Sequence, residues 1–79
     1  MSEQVNPDHY KKVIETYDAI TSQLSFNEVV GYLRGQILKY TMRLGSKHGG
    51  TVAAKLMDAE KGRWYQQKLI TLLENNIDG

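Results

Sequence analysis

The 79-residue sequence has no cysteine. That excludes disulfide staples and Cys-based metal sites. Its two histidines, His9 and His48, stand far apart, and neither has a helical i+4 partner for a zinc pair; no metal site is read. A strong excess of one charge is also missing: ten Lys and Arg face nine Asp and Glu. A dedicated nucleic-acid binder working through bulk charge usually carries a clear basic excess, so nucleic acid is a poor candidate partner. No apolar run approaches the length of a membrane span, and no membrane partner is expected. The first residues, Met1 to Asn6, lack the basic and apolar regions of a leader peptide. These absences, with the lack of cysteine, point to a soluble protein of a reducing intracellular compartment. Strand-like alternation, internal repeats and low-complexity tracts are absent too.

What is present is helical patterning in one small domain, residues 1–79. A chain this short buries only ~60–65% of its unfolded surface, so packed helices and self-association are expected to stabilise it. Residues 1–6 read as a frayed end. Asn6-Pro7-Asp8-His9-Tyr10 reads as a turn, with Asp8 as an N-cap. Tyr10, Val13, Ile14, Tyr17 and Ile20 then form an amphipathic stripe, which predicts a helix over about 10–21. Ser25-Phe26-Asn27-Glu28 fits a capping box, with Leu24 and Val29 placed for a hydrophobic staple. It predicts a second helix over 26–44, stopped by Gly45. Gly31 and Gly35 interrupt that helix, and glycines four apart let another backbone or a ligand come close, with helix–helix packing the favoured reading. A third helix is predicted from Thr51 or Val52 to about 75. Its expected core side is Val52, Leu56, Ala59, Gly62, Tyr65, Leu69 and Leu72 or Leu73, with the close crossing at Ala59 and Gly62. The predicted fold is all-α: a small bundle of about three helices, expected to be a homo-oligomer.

The chemistry gathers on the second half of the middle helix. Gln36, Lys39 and Arg43 fall at i, i+3 and i+7 and project together. From Val29 to Lys55 there are five basic residues and no acid, so a positive patch can form on a nearly neutral protein. An anionic partner suits that patch. The loop Gly45-Ser46-Lys47-His48-Gly49-Gly50-Thr51 fails as a P-loop, because its lysine precedes the glycine pair and a helix precedes the loop. It remains a connector with a possible anion contact at Lys47 and the helix start. On the third helix, Asp58, Lys61 and Tyr65 fall at i, i+3 and i+7 with Trp64 beside them. An internal Asp58–Lys61 pair, and a core or interface role for Trp64 and Tyr65, are the plain readings; base stacking is the functional one. No Ser-His-Asp or Cys-His arrangement is present.

Three of these pieces stand in a recognisable order: Asn6-Pro7-x-His9-Tyr10, then Gly31-Tyr32-x-x-Gly35-Gln36-x-x-Lys39-Tyr40-x-x-Arg43, then Asp58-x-x-Lys61-x-x-Trp64-Tyr65. Together they resemble DUF3310, a small domain common in tailed bacteriophages, some of whose longer members are described as nucleotide kinases. The resemblance covers about residues 5–73. It implies a phage-encoded nucleotide-binding protein acting in the cytoplasm of the infected host, kinase-like and lacking a P-loop. It assigns Asn6, His9, Tyr10, Gln36, Lys39, Tyr40, Arg43, Trp64 and Tyr65 to nucleotide or phosphate binding, and Asp58 and Lys61 to catalysis. Family members more often carry Asn where this chain has Gln36 and Ala where it has Gly62. Mg²⁺ is expected only in company with a nucleotide. The alternatives are a non-enzymatic protein that sequesters a nucleotide signal, or one that binds and inhibits a host protein.

Overall fold

The structure, a computed structural model, describes residues 7–45 and 50–77, with side chains from residue 11 onward. Three helices account for it: α1 (Pro7–Thr21), α2 (Phe26–Leu44) and α3 (Val52–Glu74). No strand occurs among the described residues, and the fold is a small all-α bundle.

The helix starts follow from local chemistry. Ser25 caps α2: its side chain accepts from the Glu28 N–H at 3.3 Å, and Glu28 Oε1 accepts from the Ser25 N–H at 2.8 Å. Both arms of the capping box are therefore made. Leu24 packs against the cluster that contains Val29, as a staple requires. Thr51 caps α3 by accepting from the Ala54 N–H at 3.1 Å. Helix α1 starts earlier than the expected turn allowed. Pro7 is already helical, because a first-turn residue needs no N–H partner and proline's φ is preset for a helix. Asp8 therefore lies inside the first turn rather than at a cap. Gly45 ends α2 without entering the left-handed region: its φ is −92° and its N–H donates to the Met42 carbonyl at 3.1 Å.

Helices α2 and α3 pack side by side in opposite directions. Arg43 meets Asp58, Tyr40 meets Gly62, and Tyr32 meets Tyr65. Gly62 marks the close crossing, since a Cβ there would stand 3.6 Å from Tyr40 Cβ. Among the described residues the core is Val29, Leu33, Tyr40 and Tyr65, with Leu33 alone fully buried. Helix α1 joins it through Tyr17, whose ring meets Trp64 edge-on at 5.2 Å and Tyr32 at 6.4 Å.

Two expectations about packing fail. Nothing lies within 4 Å of the Cβ positions of Gly31 or Gly35, so neither glycine serves helix packing among the described residues. Both face away from α3, which is reached by Leu33 and Tyr40. On α3, Val52 (82% exposed) and Leu56 (48%) are not core, while of the Leu72 and Leu73 alternatives Leu72 packs against the core and Leu73 is exposed. The exposed ones lie on a face that no third helix covers among the described residues.

Candidate functional site

The sequence placed Gln36, Lys39 and Arg43 on one stripe and Asp58, Lys61, Trp64 and Tyr65 on another. The α2–α3 packing brings these stripes together around Tyr40. Lys39 Nζ stands 4.8 Å from the centre of the Tyr40 ring. The Arg43 guanidinium stands 5.4 Å away, and Lys61 Nζ reaches 5.8 Å from α3. Each is a cation–π contact, but three cations share one ring quadrupole and repel one another.

One acid enters the group. Asp58 lies 3.6 Å from Arg43, its side chain 18% exposed against 53% for the arginine. The partner of Asp58 is thus Arg43 across the helix interface, not Lys61 on its own helix. An ion pair this exposed contributes at most ~1 kcal/mol to stability. Three cations and one carboxylate leave roughly two uncompensated positive charges. Gln36 lies one turn before Tyr40 and half-buried; its Oε1 is buried and has no hydrogen-bond partner.

The aromatic residues form the floor. Tyr65 is buried and stacks on Tyr40, with ring centres 5.9 Å apart and planes at 13°. Trp64 meets Tyr65 edge-on at 4.9 Å and Tyr17 edge-on at 5.2 Å. Lys68 Nζ caps the outer end of this run, 5.1 Å from Trp64 and 5.4 Å from Tyr17. Tyr40 and Tyr65 cover each other and occupy the core, so they brace the cations from beneath. Tyr17, Tyr32 and Lys68 extend the aromatic run beside the cluster; the sequence names Tyr17 in a stripe and Tyr32 in the family pattern, but none of the three is among the expected site residues. Lys68 falls at i+7 from Lys61, so helical spacing alone places it on that stripe.

Burial holds the Tyr65 hydroxyl protonated, pushing its pKa up to about 12, with Tyr32 and Tyr40 adding to the shift. Tyr17 is shifted upward too, chiefly by burial. The folded state therefore keeps the Tyr65 proton between about pH 10 and 12, where an unfolded tyrosine loses it. Stability is expected to fall as pH rises from 10 toward 12. Urea midpoints measured across this range should drop, and Tyr65→Phe should flatten the decline; an equal decline in the variant would assign it elsewhere.

His9 and Tyr10 lie in the first turns of α1, where the backbone but not the side chains is described. Asn6, Lys47 and His48 lie outside the described residues, as do 1–6 as a whole and most of the glycine loop. Among the described residues no group of three or more His, Cys, Asp or Glu could hold a metal ion. No helix there is long and apolar enough to cross a membrane.

A cleft of about 360 Å³ opens on the other side of the α2–α3 seam. Ile37, Tyr40, Thr41 and Leu44 line it from α2, and Asp58, Ala59, Gly62, Arg63 and Gln66 from α3, so it shares Tyr40 and Asp58 with the cation cluster. At about 100° per residue, Lys39 and Arg43 turn from Tyr40 in one sense, and Ile37 and Thr41 in the other. The seam thus has a cationic side shared with α1 and a mainly apolar side without it.

The family model for DUF3310, described as a protein of unknown function, matches residues 5–67. The chain belongs to the DUF3310 family. The match takes in all three stretches on which the resemblance rested, from Asn6 to Tyr65, and so covers Tyr40 and the Lys39, Arg43, Asp58 and Lys61 around it, stopping just short of Lys68. No curated protein and no solved structure matches this DUF3310 chain.

Proposed function

We propose that this DUF3310 protein binds a nucleotide or a related phosphorylated small molecule through Lys39, Arg43 and Lys61. The observation that carries the reading is the convergence of these three cations within 6 Å of one ring centre, with one carboxylate among them. Gathering like charges is unfavourable unless an anion offsets it. A phosphate does so with good geometry: Arg43 offers two parallel N–H donors, and the lysines act as point charges. Gln36 adds a buried amide carbonyl with an open acceptor position. Tyr40 and Tyr65 position the cations rather than touch the ligand. Asn6, His9, Tyr10 and Trp64 belong to this reading on family resemblance, and Lys47 as the anion contact its place in the glycine loop suggests.

Two forms of the proposal differ in what Asp58 does. In the kinase-like form, Asp58 and Lys61 act on a bound nucleotide, and the protein works chiefly by positioning and charge stabilisation. Mg²⁺ then arrives on the phosphates, since it keeps several waters and needs few protein oxygens. In the binding-only form, the protein sequesters a nucleotide of the phage-infected cell without turnover. The Arg43–Asp58 pair favours the second form, because it engages the one carboxylate of the cluster.

Calorimetric titration with nucleoside mono- and triphosphates tests the reading. Wild type is expected to bind, and Asp58→Asn, which removes a negative charge from the cluster, is expected to tighten binding severalfold. Flat titrations for wild type would end the proposal. Turnover with ATP and Mg²⁺ that Asp58→Asn abolishes would instead select the kinase-like form.

A further inference from the structure

The 360 Å³ cleft owes its existence to small residues on α3. Gly62 lets the two helices approach until a Cβ there would stand 3.6 Å from Tyr40 Cβ. One turn earlier α3 carries only Ala59, while Ile37 and Thr41 form the α2 wall, and the space between them stays unfilled. Small-molecule sites have volumes of ~300–1,000 Å³, mostly apolar walls and a few polar groups that fix orientation. The walls here are Ile37, Leu44 and Ala59, and the polar groups are Thr41, Arg63 and Gln66. All three polar side chains are exposed, and Arg63 pairs with no carboxylate among the described residues.

The cleft is continuous with the cation cluster. Asp58 lines it and lies 3.6 Å from Arg43. A phosphate held by Arg43 therefore stands at the cleft wall, and whatever is attached to that phosphate has the cleft as its nearest apolar recess.

We infer that the cleft takes the ring of the same ligand, a nucleobase, so that the ligand is a nucleotide rather than a sugar phosphate or free phosphate. The inference rests on the phosphate site proposed above. A nucleobase suits the lining because its faces are apolar and its edge carries both donors and acceptors. Ile37 and Ala59 meet the faces. Arg63 donates to a ring nitrogen or carbonyl, and the Gln66 amide and Thr41 hydroxyl each donate or accept. The sugar is the spacer that leads from Arg43 past Asp58 into the cleft. A sugar phosphate would leave the apolar walls bare, and an aliphatic tail would leave the Arg63 guanidinium and the Gln66 amide without partners.

Paired calorimetric titrations of the full chain with deoxyribose 5-phosphate and with the common deoxynucleoside monophosphates test the assignment. Wild type is expected to bind at least one mononucleotide about tenfold more tightly than the sugar phosphate, since removing even ~60 Å² of apolar surface from water corresponds to a factor of about ten. Ala59→Leu fills the cleft with a residue that helices accept nearly as well as alanine. Ala59 is exposed, so the helical circular dichroism should be retained. The variant should lose the preference for the mononucleotide and bind the sugar phosphate as wild type does. Arg63→Ala should weaken the mononucleotide severalfold and leave the sugar phosphate unchanged. Equal affinity of wild type for both ligands would overturn the inference and leave the phosphate site standing; binding of neither would overturn both. A preference that survives Ala59→Leu, or an Arg63→Ala variant that weakens both ligands alike, would also overturn it.

Discussion

Leu33→Ala is expected to remove about 3–5 kcal/mol of folding stability. Leu33 is the fully buried side chain of a four-residue core, at 0% exposure. Alanine leaves a cavity beneath Tyr40 and Tyr65, and a two-helix seam has few other side chains to collapse into it. A chain of 79 residues has a total stability of only ~4–12 kcal/mol. The variant should therefore be partly or wholly unfolded at room temperature, by urea denaturation followed in the far-ultraviolet. Leu33→Met, which nearly conserves volume, should cost less than ~1.5 kcal/mol. A well-folded Leu33→Ala would mean that the stability resides outside this seam.

The double variant Lys39→Ala/Arg43→Ala is expected to bind phosphorylated ligands at least ~100-fold more weakly than wild type. Each charged hydrogen bond to a phosphate contributes ~1.5–3 kcal/mol, and each factor of ten is ~1.4 kcal/mol. The electrostatics reinforce the loss. Without Lys39 and Arg43 the cluster keeps one cation, Lys61, and one anion, Asp58, so its net charge vanishes. Stability should change little, since Arg43 is more than half exposed and Lys39 is exposed. Arg34→Ala, another exposed cation of α2 outside the cluster, should bind normally. Equal weakening by Arg34→Ala would reduce the site to general surface charge.

Much of this arrangement was legible because it is written in short-range chemistry. A capping box and a threonine cap fix where α2 and α3 begin, and the three-and-four spacing fixes which side chains share a stripe. That sufficed to put Gln36, Lys39 and Arg43 on one stripe and Asp58, Lys61 and Tyr65 on another; that the two stripes meet is a fact of the α2–α3 packing. Periodicity marks a side as apolar but does not tell whether anything covers it. For that reason Val52 and Leu56 read as core and emerge exposed, and Gly31 and Gly35 read as a packing motif with nothing packed against them. The Asp58 partner was misjudged on similar grounds: i+3 spacing suggested Lys61, whereas Arg43 comes from another helix. The role of Tyr40 as the centre of three cations also depends on that interhelix contact, because one of the three arrives from α3.

The central claim is that a phosphorylated ligand binds where α2 and α3 bring Lys39, Arg43 and Lys61 around Tyr40. The most direct measurement is a residue-resolved nuclear magnetic resonance titration of the isotope-labelled protein with a deoxynucleoside monophosphate. The account predicts saturable shifts concentrated at residues 36–43 and 58–65, with Leu56 and Ile70 on the apolar face unaffected. Saturable shifts centred on another part of the chain, or no shifts at millimolar ligand, would contradict it.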